Sequence, residues 1–503
     1  MTLLLLVLSA AAPDTLWSNV TSGGVYSSLE MDDVDGDGTA DVVSGVNFWD
    51  SEPTLWALSG SDGSVIWTSS LCQGIYQDEG MMVVPDLDGD SFRDVVLATP
   101  GGYDPPGRCV ILVSGLGGGI VWTWSAYGSL PGGTGWGYSC DLAGDVTGDG
   151  YPEILAGFGT TGSAGTGAAV CLDGISGDTV WTVSTADATE DILSVPDITG
   201  DDVPEACLGI GGNSYTNMTV RMLDGAAGSD LWSRDGGGDV MCLSLVDRSE
   251  TLPWIVDCTF DGEVRCHSLG GDSIWAILSP GMLLDVEGGP DLDGDGIGEV
   301  ALAADNGGTV CLDGATGAVV WSYPTGSNTW SVAWADSVLT SGTPEPCIAG
   351  GAVNGRRITL VDALTGQLVW DETFSERVYN VSVCSPLGAF PSPTVLAGLQ
   401  DQTPLPYHAW AFASSLETGL PGGGSLPEAA PWAANPSRGS IAISVPDGST
   451  WQVAVFDLAG RLVEAGTAAP GTAFSTGRLT PGCYFVRTGC GSVSGVQRVV
   501  VLP

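Results

Sequence analysis

The chain carries very little positive charge: 14 lysines and arginines face 60 aspartates and glutamates over 503 residues, for a formal net charge of −46. A surface of that sign repels nucleic-acid phosphates and anionic membranes, so nucleic-acid binding is set aside. Histidine is nearly absent too: His267 and His408 are the two present, and both fall in expected strands of degenerate repeats, where a structural role is expected. No Gly-x-Ser-x-Gly elbow, phosphate loop or His-x-x-x-His pair occurs, which removes the common signatures of hydrolases, nucleotide enzymes and metalloproteases. The absence of any Cys-x-x-Cys pair argues against a zinc site. No amphipathic helical stretch exceeds about a dozen residues, which favours an all-β chain. No apolar run reaches the roughly 18 residues of a membrane span.

What the chain does have is glycine, 76 residues of it, with 29 prolines and 43% hydrophobic residues. That mixture rules out disorder and implies many tight turns between short strands. Its 13 cysteines are an odd number, so at least one is unpaired. They recur at fixed places in a repeat: Cys171, Cys266 and Cys311 precede one turn phrase, while Cys140, Cys242 and Cys384 precede a second. Cys207, Cys258 and Cys347 follow that second phrase. Such cysteines are expected to be small core residues, not a disulfide framework. The opening Met1 to Ala12 reads as the apolar core of a signal peptide with a small-residue cleavage zone, although it lacks a basic start; a buried first strand is the alternative.

The first phrase is a hairpin ending in tryptophan. Its clearest copy runs Leu312-Asp313-Gly314-Ala315-Thr316-Gly317 through to Trp321. Asp313 and Thr316 can bond nearby amides, and Gly317 accepts positive φ. Its tryptophans are Trp17, Trp67, Trp122, Trp181, Trp232, Trp275, Trp321 and Trp370, spaced 43 to 59 residues apart. A period of that size signals radial or solenoidal repetition of a unit too small to bury its own core.

The second phrase carries chemistry. In Asp291-Leu292-Asp293-Gly294-Asp295-Gly296-Ile297-Gly298-Glu299, oxygens from positions one, three, five and nine converge, and glycines permit the sharp turn. Hard oxygen donors in that number suit Ca²⁺. Five loops qualify, with expected ligands Asp33, Asp35, Asp37 and Asp41; Asp86, Asp88, Asp90 and Asp94; Asp145, Thr147, Asp149 and Glu153; Asp197, Thr199, Asp201 and Glu205; and Asp291, Asp293, Asp295 and Glu299. Thr147 and Thr199 lower the charge of two of them. The EF-hand glutamate at position twelve is missing, and apolar strands follow instead of helices, so up to five structural calcium sites between strands are expected.

The first tryptophan strand has no strands before it, and the last set of strands, Tyr379 to Ala413, has no closing tryptophan. Both ends therefore complete one shared unit, as in a β-propeller that removes its free edges by closing into a ring. Eight blades follow, over residues 14–413. The Asp-rich loops resemble the calcium-binding repeats of integrin-α-type propellers, and the tryptophan phrases resemble the docking motif of quinoprotein-like propellers. Residues just before each Asp-rich loop are where a propeller ligand would sit: Tyr26, Asp78, Glu79, Trp136, Tyr138, Glu190, Asp191, Asp285, Trp330 and Tyr379. Aromatics mixed with carboxylates stack on sugar or grip a cationic group, and they also serve as plain channel filling.

Residues 414–434 form a Gly/Pro/Ser/Ala-rich linker. After it, residues 435–503 alternate over short strands with glycine turns, which implies a small Ig-like β-sandwich. Asn435-Pro436-x-x-Gly439, Phe456-Asp457-Leu458-x-Gly460-Arg461 and Leu479-x-x-Gly482-x-Tyr484 are similar to type IX secretion sorting domains, from which Cys483 and Cys490 depart. That resemblance implies an exported or surface-attached bacterial protein in contact with a secretion machinery. The expectation is a calcium-stabilised, non-catalytic propeller that binds an extracellular ligand, a glycan or a protein, or has a structural role on the surface. The alternatives are a polysaccharide lyase, for which there are few basic groups, and a quinone-dependent dehydrogenase, for which there is no vicinal cysteine pair.

Overall fold

The computed structural model describes residues 13–413 apart from short loop segments, of which 102–107 and 401–406 are the longest, and parts of 432–502. The expected signal peptide and the stretch 414–431 of the expected linker lie outside the described residues. Two compact units result, Met1–Ser415 and Leu416–Pro503.

The first unit is an eight-bladed β-propeller of four-stranded antiparallel sheets. The first blade comprises Val25–Glu30, Val42–Val46, Leu55–Leu58 and Val65–Ser69, in that order from inside to outside. The next six follow the same order, their innermost strands being Met81–Val84, Trp136–Leu142, Ala188–Val195, Val240–Val246, Leu283–Gly288 and Thr329–Leu339. The eighth blade takes Arg377–Cys384, Thr394–Gln400 and Tyr407–Ala413 from the end of the ring and Asp14–Thr21 from its start. Each innermost strand packs beside the next, and the eighth returns to the first. The expected interlock is therefore present: Trp17 pairs with Ala411 across the seam.

Burial follows position within the blade. Second strands such as Val42–Val46 and Val300–Ala304 are buried at every residue, because neighbouring blades cover both faces. Outermost strands such as Val319–Tyr323 are mostly exposed. There the tryptophan is the anchor. Seven indoles, from Trp17 to Trp321, donate Nε1–H to a backbone carbonyl in the hairpin turn of the next blade at 2.7–2.9 Å. A register shift precedes each of these turns; in the sixth blade Cys311 faces Trp321 but Leu312 faces Val319, leaving Val320 as the extra residue. The bulge re-aims the ring onto its neighbour.

The two sequence phrases meet inside the first, second and fourth blades, where the turn glycine donates to the acid that ends the Asp-rich loop. Gly60 of the first turn donates to Asp41 Oδ1 at 3.0 Å, and its carbonyl takes the Trp17 indole from the eighth blade. A Cβ there would lie 1.9 Å from the Ala40 carbonyl oxygen, so only glycine fits. Trp370 has no such partner, because the blade it faces is the split one, with no hairpin between its outer strands. Its buried indole nitrogen is unpaired among the described residues, and it packs on Phe412 instead, ring centroids 6.1 Å apart. Phe374, Trp410 and Phe412 continue that aromatic seam.

All ten cysteines described in the propeller are free and buried, as expected for core residues. The second unit holds a three-stranded and a five-stranded sheet, the latter built on the hairpins Trp451–Asp457 with Leu462–Ala468 and Gly482–Cys490 with Val493–Leu502.

Candidate ligand site in the channel mouth

The innermost strands share a second recurrent irregularity. In seven of the eight blades the register slips near the start of that strand, leaving one extra residue: Tyr26, Tyr138, Glu190, Met241, Leu284, Trp330 and Tyr379. Five of these are residues singled out from the sequence. Met241 and Leu284 were missed, since nothing in their type marks them; only the bulge position does. A bulge turns a side chain out of the alternating pattern, here at the strand ends that surround the channel.

The second blade lacks this bulge and supplies a plug. A short 3-10 turn, Asp78–Gly80, precedes its inner strand. Gln77 Nε2 donates to the Glu190 carbonyl of the fourth blade at 3.1 Å, and Asn380 Nδ2 of the eighth donates to Asp78 Oδ2 at 2.6 Å. The Cys242 thiol of the fifth blade lies 3.3 Å from Glu79 Oε1. Contacts with the fourth and eighth blades, on opposite sides of the ring, place this segment across the channel.

A packed side of the mouth is formed by Tyr76, Trp136 and Tyr138, with centroids 5.2–6.4 Å apart. A cavity of about 370 Å³ remains, lined by Tyr76 itself and by Tyr26, Asp78, Glu79, Cys242, Asp285, Trp330 and Tyr379 among others. Tyr26 stacks on Tyr379 at 4.8 Å, and Trp330 meets Tyr379 edge-on at 4.8 Å. Six of the ten expected mouth residues, Tyr26, Asp78, Glu79, Asp285, Trp330 and Tyr379, therefore line the cavity together. The other four do not: Trp136 belongs to the packed side, and Tyr138, Glu190 and Asp191 are buried.

The carboxylates have two kinds of environment. Several inner-strand acids brace one blade to the next: Asp141 Oδ2 accepts from Ser194 N, Asp191 Oδ2 from Leu243 N and Asp285 Oδ2 from Val332 N, at 2.7–2.8 Å. At the mouth, however, acids crowd: no lysine exists in the chain, and among the described residues no arginine or histidine lines the cavity, although Arg377 Nη1 reaches the Tyr379 hydroxyl at 3.5 Å. Burial, then Asp191 and Asp285, pushes Glu79 up to about 8. Burial raises Asp191 to about 7 and Asp285 to about 6. Asp78 and Glu190 rise well above the usual carboxylate range, first by burial and then through Glu79 and Asp239 respectively.

The Asp-rich loops lie between the first and second strands of their blades. Position one organises each loop: Asp33 Oδ1 accepts from Gly36 and Asp37 at 2.8 and 3.0 Å, and Oδ2 from Gly38 at 2.8 Å. Carboxylate oxygens of positions one, three and five lie within 4.8 Å of one another in three loops: Asp33, Asp35 and Asp37; Asp86, Asp88 and Asp90; and Asp291, Asp293 and Asp295. That donor set fits a hard divalent ion. Loops with Thr147 or Thr199 at position three have one carboxylate fewer, beside Asp145 and Asp149 or Asp197 and Asp201. The acids at position nine depart from expectation. Asp41, Asp94, Glu153, Glu205 and Glu299 are buried and turn onto the amides of positions two and three, or of position two alone for Glu299, at 2.7–3.3 Å.

The fifth blade, which has no such loop, holds a buried charge cluster on its second and third strands. Asp257 pairs with Arg265 Nη2 at 2.6 Å and His267 Nε2 at 2.9 Å. His267 thus has a structural partner. His408 lies in the seam, 3.7 Å from Glu376 and against Trp410.

Comparisons agree with this architecture. Residues 260–400 match the sequence family described as outer membrane protein assembly factor BamB, and residues 434–502 match the secretion system C-terminal sorting domain. Among solved structures, the chain is similar to Sqt1 of Saccharomyces cerevisiae at a TM-score of 0.58 and 10% identity, covering 80% of this chain and 99% of that one. It is also similar to quinohemoprotein alcohol dehydrogenase from Comamonas testosteroni at a TM-score of 0.51 and 12% identity, covering 83% and 78%. At such identities the likeness shows the fold alone. Curated protein sequences give no significant match.

Proposed function

We propose that the chain is an exported, calcium-stabilised propeller that binds a ligand in its channel mouth without transforming it. The observation that carries this reading is a cavity of about 370 Å³ lined by five of the bulge residues, Tyr26, Met241, Leu284, Trp330 and Tyr379, together with Glu79 and Asp285. Aromatic faces bordered by acceptors suit a sugar ring or a cationic group. The match of residues 434–502 to a secretion sorting domain supports export through that machinery to the cell surface or beyond. Calcium fits the same setting, because extracellular Ca²⁺ is abundant enough for loops of modest affinity.

Charge speaks against both enzymatic alternatives. A uronate-cleaving site and a site for an anionic quinone each need cationic groups, and no basic residue lines the cavity among the described residues. The test is a panel of neutral, amino-substituted and uronate glycans, and of basic peptides, read for binding and for product release together. Replacing Trp330 or Tyr379 by Ala should weaken binding about tenfold, a loss of about 1.4 kcal/mol. Turnover of any polysaccharide or alcohol, or binding indifferent to both substitutions, rejects the proposal.

A further inference from the structure

The floor of the mouth cavity combines a thiol with carboxylates, and that combination has a chemistry of its own. Cys242 comes from the inner strand of the fifth blade, Asp285 from that of the sixth, and Glu79 from the plug. One ligand atom from each lies within 4.8 Å of the other two, and Cys242 Sγ is 3.3 Å from Glu79 Oε1. Donors around a tetrahedral ion sit 2.0–2.3 Å from it, hence roughly 3–4 Å from each other. The three groups therefore need only small side-chain movement to share one ion. All three line the cavity, so a fourth position faces open space.

The surroundings call for positive charge. The next acids are Asp78, Glu190 and Asp191, and the cavity wall contributes no basic side chain among the described residues. Close by, hydrogen-bonding capacity is left over. Fully buried Asn380, whose amide nitrogen holds one Asp78 oxygen, has no donor for its own Oδ1. Buried oxygens without donors next to crowded carboxylates are costly unless a cation compensates them.

We propose that Cys242, Glu79 and Asp285 form a binding site for a thiophilic divalent ion of the Zn²⁺ class, separate from the calcium loops. Sulfur selects against Ca²⁺ and Mg²⁺, which take oxygen donors, and favours Zn²⁺ or Co²⁺. Binding releases the Cys242 thiol proton and the proton held on the Glu79 carboxyl to solvent, leaving thiolate and two carboxylates to neutralise the ion, with water or a ligand donor on the cavity side. Cys258, directly across the strand pair from Cys242, is the neighbouring thiol and not one of the three ligands. The assignment goes beyond the recognition role read above, since the ion is detected with no organic ligand present.

The experiment uses the full chain, stripped of metal and then saturated with Ca²⁺ so that the Asp-rich loops are filled, and titrates it with Co²⁺. One equivalent should bind with a thiolate-to-cobalt charge-transfer band, and Zn²⁺ should bleach that band. Cys242→Ser should abolish it, whereas Cys258→Ser should leave it in place. Glu79→Gln and Asp285→Asn should keep the band but weaken Co²⁺ binding about tenfold or more, which keeps the test available if Cys242→Ser fails to fold. No band in the wild-type protein, or a band lost with Cys258 and kept without Cys242, overturns the assignment. A protein that binds its glycan or peptide but shows no band loses the metal site and keeps the recognition role; the reverse result separates them the other way.

Discussion

The contact between one blade's tryptophan and the next blade's turn can be tested by a double-mutant cycle at Trp275 and Gly317. Trp275 is 8% exposed, and its indole donates to the Gly314 carbonyl at 2.7 Å. Gly317 has φ of +71°, and a Cβ on it would lie 2.6 Å from Cε3 of the Trp275 ring. Gly317→Ala thus carries two penalties: about 1–2 kcal/mol for an alanine in the left-handed region, and about 1–3 kcal/mol for pressing a methyl into a packed ring. Trp275→Ala alone should cost about 3–5 kcal/mol, as large buried aromatics do. With the ring gone, the second penalty on Gly317→Ala vanishes and only the backbone term remains. The double variant should therefore be more stable than the sum of the singles predicts by about 1–3 kcal/mol. Urea unfolding of the four proteins in saturating Ca²⁺ measures this. Strict additivity would falsify the claim that the indole rests on that glycine.

Three further outcomes follow from the same geometry. Removing Ca²⁺ with a chelator should lower the melting temperature, and Asp291→Asn should shrink the calcium-dependent increment; at 100 times the dissociation constant one site is worth about 2.7 kcal/mol, and a melt indifferent to chelator rejects the calcium loops. Asp257→Ala strips the partner from Arg265, whose side chain is 9% exposed, so a loss of about 3–5 kcal/mol is expected by urea denaturation; a change below about 1 kcal/mol refutes the buried cluster. Burial raises Asp191 to about 7 and Glu190 in the same direction. The folded state therefore holds protons that the unfolded state has released, and stability is fullest below the ordinary carboxylate range and declines as pH climbs toward 7. Urea midpoints of the metal-free protein at pH 5 and pH 7.5 should fall in that order, and a rise instead contradicts the acidic crowding.

Much of the ring was legible because it is repetitive. Each Trp phrase and each Asp-rich loop is a local device, and a strand lacking predecessors at one end matches a blade lacking its outer strand at the other. The cavity was legible only in part. Tyr26, Trp330 and Tyr379 stand out by type, but Met241 and Leu284 occupy equivalent bulges and carry no signal in the chain. Asp78 and Glu79 read as mouth residues of one blade, yet their segment crosses the channel to the fourth, fifth and eighth. Position nine of the Asp-rich loops looked like a ligand because it is acidic; its burial beside the amides of positions two and three gives it a bracing role.

The sequence by itself determined the all-β class, the blade count and the closure of the ring, because these depend on periodic burial and on turn residues adjacent in the chain. It also determined where the Asp-rich loops lie, since their residues are contiguous. Only the tertiary structure decided which acids and which thiol meet at the channel floor. Spacing argued against a zinc site because the chain has no Cys-x-x-Cys pair. Closing the ring brings Cys242 within 3.3 Å of Glu79, 163 residues away, and a pairing of that kind exists only once eight blades share an axis.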